Sequence, residues 1–115
     1  MQNFKELRIW QKAMGVVVLV YQETKAFPSE EKFGLSNQMR RCAVSIPSNI
    51  AEGHLRTTNK SFKQFIAVAR GSCAELETQN QIAFELKFSG NKEYQILNTK
   101  ITELAKMLSA FYAKL

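Results

Sequence analysis

Chemistry in a small protein needs a nucleophile, a base or a cluster of metal ligands, and this 115-residue chain has few candidates for any of them. His54 is the only histidine. Its neighbours Gly53, Leu55 and Arg56 supply no thiol or carboxylate at ligand spacing, so it reads as a solvated loop histidine, with a phosphate contact as its next use. Cys42 and Cys73 fall on apolar helical stripes and read as buried, reduced thiols that could be neighbours in space. All ten acids are Glu. The pairs Glu30–Glu31 and Glu75–Glu77 point to different faces of a helix, so neither converges on a metal or a scissile bond. With no Asp, one loop histidine and no Gly-rich phosphate loop, no Ser–His–acid constellation can be assembled. The expectation is a protein without catalytic residues, metal or cofactor.

Two polar patterns remain. Gln38, Arg41, Ser45, Ser48 or Asn49, and Glu52 recur at helical spacing beside an apolar stripe. Amides and hydroxyls with a single Arg and a single Glu suit a hydrogen-bonded seam between helices better than a solvated face. Ser72, Glu75, Thr78 and Gln79 could match them across the seam, and a ligand site is the competing use. The second pattern is charge. The chain carries sixteen Lys and Arg against ten acids, a formal excess of +6. Between Glu52 and Glu75 there is no acid, while Arg56, Lys60, Lys63 and Arg70 lie there with His54. That segment forms a basic patch at one end of the molecule, to which Arg40 and Arg41 could add. A positive field of this kind suffices for phosphate contacts and carries little sequence specificity. Phe62 and Phe65 are interleaved with it, but their helical spacing makes them core residues before stacking platforms.

Four predicted helices position these groups. The first runs from about Asn3 to Phe27, with Leu7, Trp10, Met14, Val17, Tyr21 and Thr24 along one face, and Pro28 stops it. A second apolar line, Ile9, Ala13, Val16, Val20 and Phe27, follows another side and hints at burial by an oligomer. In the second helix Leu35, Met39, Cys42, Ile46 and Ile50 form the stripe. Ser36 is its candidate cap, Pro47 is expected to bend it or split it at Ile46, and Gly53 is a plausible end signal. The third starts near Thr57, Thr58 or Asn59 and continues to Ser89 through Phe62, Phe65, Ile66, Ala69, Cys73, Leu76, Ala83 and Leu86. Gly71 inside it implies the close approach of a neighbour. In the fourth, Tyr94, Ile101, Leu108 and Leu115 repeat every seven residues with Leu97, Leu104 and Phe111 three residues on, a heptad seam. Short links make the simplest topology an all-α, antiparallel up-down-up-down four-helix bundle in one domain, residues 1–115.

The longest apolar run, Val16 to Tyr21, is far short of the roughly 20 residues that a membrane span needs. The N-terminus has no basic-then-apolar leader, so a cytoplasmic location without membrane contact is expected.

Several runs together carry a family resemblance: Phe4 to Trp10 with Gln11 and Ala13, then Phe27-Pro28-Ser29-Glu30, Phe33-Gly34-Leu35, Gln38-Met39-Arg40-Arg41, SIPSNIAEG from Ser45 to Gly53, and GSCAELETQ from Gly71 to Gln79. In this combination the chain resembles the four-helix-bundle proteins encoded in intervening sequences of bacterial 23S ribosomal RNA genes. The resemblance spans nearly the whole chain. It implies a bundle that assembles as a ring-shaped homo-oligomer, a pentamer. It also implies relatedness to the accessory protein of diversity-generating retroelements, a basic pentameric barrel that binds nucleic acid and a reverse transcriptase. No family-wide catalytic residues come with it. The expected function is therefore nucleic-acid binding, RNA before DNA, through Arg56, Lys60, Lys63, Arg70 and Arg40. The rival expectation is an oligomeric scaffold or adaptor for a protein partner.

Overall fold

A capping box begins the first turn: the Asn3 side chain accepts from Lys5 N–H at 2.9 Å while Glu6 reaches back to the Asn3 backbone N–H. In the computed structural model, which describes residues 3–115, this 3-10 turn (Phe4–Glu6) leads through extended Leu7 into α1 (Arg8–Thr24). Then follow a 3-10 turn at Ser29–Glu31, α2 (Leu35–His54), α3 (Asn59–Glu85) and α4 (Asn91–Lys114), with no strand among the described residues. The first helix is thus shorter at both ends than its apolar period suggests. Asn3 and Leu7 break its start, and the chain turns away after Thr24, whose hydroxyl donates back to the Val20 carbonyl at 2.7 Å.

Successive helices run in opposite directions. Thr24 at the end of α1 meets Arg40 early in α2, Phe84 late in α3 stacks on Tyr94 in the first turn of α4, and Phe62 in the first turn of α3 packs edge-on against Phe111 near the end of α4. The four helices enclose one core. α2 contributes Met39, Ile46 and Ile50, α3 contributes Ile66, Ala69 and Leu76, and α4 contributes Leu97, Ile101, Leu104 and Leu108, all essentially without solvent exposure. Each fully buried Leu or Ile contributes about 1.5–3 kcal/mol. The heptad seam is therefore real over its central three turns, Leu97 to Leu108, while Tyr94, Phe111 and Leu115 at its ends are only half-buried.

Four details depart from the sequence reading. α1 turns Ile9, Ala13, Val16, Val20 and Thr24 inward, so the line assigned to a partner molecule is the bundle's own. Of the other line, Trp10 and Val17 pack against the edge of the core, while Met14 and Tyr21 are exposed. Ser36 is buried inside α2 and caps nothing; the Glu31 carboxylate accepts the Leu35 N–H at 3.1 Å in its place. α2 is continuous through Pro47, which is itself buried between the fully buried Ile46 and Ile50. Packing around that turn offsets the roughly 3 kcal/mol an interior proline costs.

The fourth departure concerns α3. It is capped by Thr58, whose hydroxyl accepts from Ser61 N–H at 3.1 Å, but it ends at Glu85, and Leu86 is exposed. Lys87 takes the left-handed conformation (φ 64°) while Phe88 N–H bonds the Ala83 carbonyl and Lys87 N–H the Phe84 carbonyl, a Schellman stop built without glycine.

The glycines also exchange roles. A Cβ on Gly71 would meet nothing within 4 Å, so no neighbour within the chain approaches there. A Cβ on Gly53 would lie 2.7 Å from Phe65 Cβ and 2.8 Å from the Phe62 ring. Gly53 therefore lies within α2 as the contact that lets α2 and α3 close, and α2 runs one residue beyond it.

Candidate nucleic-acid interface

The alternating helix directions gather charges that are scattered in sequence. One half of the bundle holds the start of α1, the α2–α3 corner and the end of α4; the other holds the α1–α2 and α3–α4 connections. In the second half Glu23, Glu30, Glu31, Glu75, Glu77, Glu85 and Glu93 face seven Lys and Arg, which makes that half formally neutral. The first half holds nine cations against Glu6, Glu52 and Glu103, so it carries the entire +6 excess.

Within the basic half the named cations are in different states. Arg56, just past α2, pairs with Glu52 at 3.1 Å, an exposed contact of little energetic weight, and its guanidinium lies 4.6 Å over the Phe65 ring. Lys60 projects from the first turn of α3 with no carboxylate within salt-bridge distance among the described residues. Lys63 Nζ and Arg70 Cζ both lie over the Tyr112 ring of α4, 4.6 and 4.8 Å from its centroid. Tyr112 stands one residue off the heptad seam; that flanking position, opposite two lysine- and arginine-bearing turns of α3, was its only signal in sequence.

Arg40 does not join this group. It sits in the neutral half, where its Nε donates to Thr24 Oγ1 at 2.8 Å and its guanidinium lies 4.7 Å over Tyr21. Fourteen residues of α2, about 21 Å of helix, separate it from His54, and Arg56 lies two residues beyond that end. Arg41 is exposed in the same half.

The polar seam contracts to one crossing. Ser45 Oγ and Ser72 Oγ are 2.8 Å apart, Ser45 also donates to the Cys42 carbonyl, and the Cys42 thiol donates to the Ser72 carbonyl at 3.1 Å. Asn49 bonds back to the Ser45 carbonyl within α2, and Gln79 donates to Glu75 within α3. Thr78 likewise bonds back to the Ala74 carbonyl. Gln38, Arg41 and Ser48 are exposed, and Glu52 turns outward to Arg56. The helical spacing had marked these residues as one face, but a single helix face is wider than the strip a neighbouring helix covers.

Burial is the first cause that pushes both thiols up to about 12, with Glu75 adding to it at Cys42 and Glu77 at Cys73. Both are free and protonated at neutral pH. His54 is no loop residue: it closes α2, lies edge-on to Phe62, and has Nδ1 sealed from water without a hydrogen-bond partner. No helix is long and apolar enough to cross a membrane among the described residues.

The family model described as 23S rRNA-intervening sequence protein matches residues 5–110. The chain belongs to that family. A solved structure of similar fold is that of a protein of unknown function from the S23 ribosomal protein family of Bacteroides thetaiotaomicron. It is 20% identical, with a TM-score of 0.82 over 90% of this chain and 97% of that one. No curated protein matches. In this member of the 23S rRNA-intervening sequence family, the SIPSNIAEG and GSCAELETQ runs lie on facing helices and meet through Ser45 and Ser72.

In the neutral half lies Glu23, which the sequence reading passed over. It lines an apolar cavity of about 220 Å³ with Leu19, Gln22, Glu93 and Ile96, and its Oε1 has no hydrogen-bond partner. Burial, then the charge of Glu93, push its carboxyl up to about 7, partly offset by the Ser89 hydroxyl. The folded state therefore holds this proton more tightly than the unfolded chain does. The stabilisation is fully present below about 4.5 and is lost as pH rises through about 7. Glu23→Gln is expected to flatten that slope and to raise stability at pH 8 by about 1 kcal/mol, allowing for the half of the group that water screens. Thermal melts of both proteins across this range check it, and parallel pH profiles would refute it.

Proposed function

We propose that this protein is a non-enzymatic RNA-binding protein that acts in the cytoplasm as a homo-oligomer. Its basic half contacts the phosphate backbone through Lys60, Lys63 and Arg70, with Arg56 at the margin. The observation that carries the reading is the concentration of the whole +6 excess in one half of the bundle, around a stretch with no acid between Glu52 and Glu75. Such a field attracts polyanions and suits phosphate contact without sequence reading. RNA is taken before DNA as the polyanion, and a duplex DNA of equal length is the comparison ligand.

Self-assembly is supported by an apolar groove and by exposed apolar side chains on a different helix. A groove of about 300 Å³ between α1 and α2 is lined by Trp10, Met14, Val17, Val44, Pro47 and Ala51. On α3, Val68 and Ile82 are exposed on either side of the open Gly71. Unlike surfaces that fit each other make head-to-tail contacts, which close into a ring when the rotation between neighbours divides a full turn. The family resemblance sets the expected ring at five copies, and sedimentation equilibrium measures it.

The same groove favours a second reading, an adaptor that docks a protein partner while its charge serves only solubility. Salt separates the two. In the RNA reading, affinity for a fluorescein-labelled oligouridylate falls linearly on log-log axes, with a slope of about 0.7 per neutralised phosphate. A weak, salt-indifferent signal would favour the adaptor.

A further inference from the structure

Lys63 and Arg70 are seven residues apart on α3, two turns along one side of the helix. Long cationic side chains at such spacing normally spread into water. Here both turn to a single ring from the adjacent helix, at 4.6 and 4.8 Å from its centroid. The negative face of the phenol attracts both charges. Neither cation has a carboxylate within salt-bridge distance among the described residues. A guanidinium held over a ring keeps its in-plane N–H groups free, and an ammonium keeps the donors that point away from it. The ring itself is firmly held: Tyr112 is half-buried against the core, and the adjacent Phe111 packs on Phe62 at 5.4 Å.

We propose that Tyr112 is a positioning residue for RNA binding, its ring holding the Lys63 ammonium and the Arg70 guanidinium as a preordered pair for the phosphates of an RNA strand. The inference rests on the RNA-binding reading and adds to it the source of its geometry. Ordering a long side chain on binding weakens association by up to about tenfold per side chain. A ring that has ordered two of them beforehand removes part of that loss without adding a charge.

That last property makes the role measurable. Binding to labelled oligouridylate is followed by fluorescence anisotropy between about 50 and 200 mM salt. Tyr112→Phe keeps the ring and is expected to bind within about twofold of the parent. Tyr112→Leu keeps the apolar packing and is expected to bind about tenfold more weakly with an unchanged salt slope, since the same phosphates are still neutralised. The Lys63→Ala/Arg70→Ala double variant loses affinity and also lowers the slope by about 1.4, two single-strand contacts at about 0.7 each.

Parent-like affinity in Tyr112→Leu, with the double variant weakened, overturns the positioning role and leaves RNA binding standing. Absence of salt-dependent binding by the parent overturns both. Should Tyr112→Leu fail to fold, Tyr112→Met replaces it. Independently, the Lys63 side-chain methylene resonances of the parent are expected to be shifted upfield by the ring current, and random-coil positions would refute the contact.

Discussion

Replacing Lys60 and Lys63 together with glutamate is expected to weaken oligouridylate binding by at least about a hundredfold while the helical circular dichroism stays unchanged. Each charge-assisted contact to a phosphate is worth about 1.5–3 kcal/mol, so losing two removes about 3 kcal/mol or more, and the introduced carboxylates repel the strand besides. The fold has little reason to respond. Lys60 is exposed in the first turn of α3, which contains no acid, so a glutamate there gains about 0.3–1 kcal/mol from the helix dipole. Lys63→Glu loses its place over Tyr112, a contact of about 0.5–1 kcal/mol. The two changes nearly cancel. Retained affinity in a folded double variant would remove the basic half from the mechanism and leave the adaptor reading.

Gly53→Val is expected to have the largest effect on stability, a loss of about 3 kcal/mol, seen as a fall of about 10 °C in Tm. The clash falls on Phe65 Cβ and the Phe62 ring. Phe65 Cβ cannot rotate away, because it is fixed to the α3 backbone, so the two helices must part at their corner. Gly53→Ala meets the same contact but gains about 1 kcal/mol of helix propensity, and its loss is expected to be smaller. Equal melting temperatures for Gly53→Val and the parent would show that the corner yields freely. Because Arg56 and Lys60 flank this corner, the valine variant should also bind RNA somewhat more weakly near its melting range.

Much of this architecture is written locally. The α2 stripe Met39, Cys42, Ile46 and Ile50 is buried as its spacing predicts, Thr58 caps α3, and Leu97 to Leu108 form the centre of the α4 seam. These features depend on one helix and its period. What failed depends on two. α1 carries two apolar lines, and only the shape of α2 and α4 decides which turns inward. Pro47 breaks an isolated helix but not one anchored on either side of it by the fully buried Ile46 and Ile50. The Lys87 stop of α3 carries no glycine to announce it. Arg40 reads as part of a basic cluster until the direction of α2 carries it to the opposite half. Tyr112 became visible only when α4 was laid beside α3. His54 was misplaced because the α2–α3 connection is shorter than the Gly53 signal implied.

The body measures 43 × 23 × 20 Å, and its surplus charge is confined to one half of the long axis. Such an object has a large electric dipole along its length. Near an anionic polymer it experiences a torque before it experiences contact, and it turns its positive pole forward. Its neutral pole then gains nothing from the polymer's potential. Encounters are therefore sorted by direction while the molecules are still apart, and fewer collisions are spent on unproductive approaches.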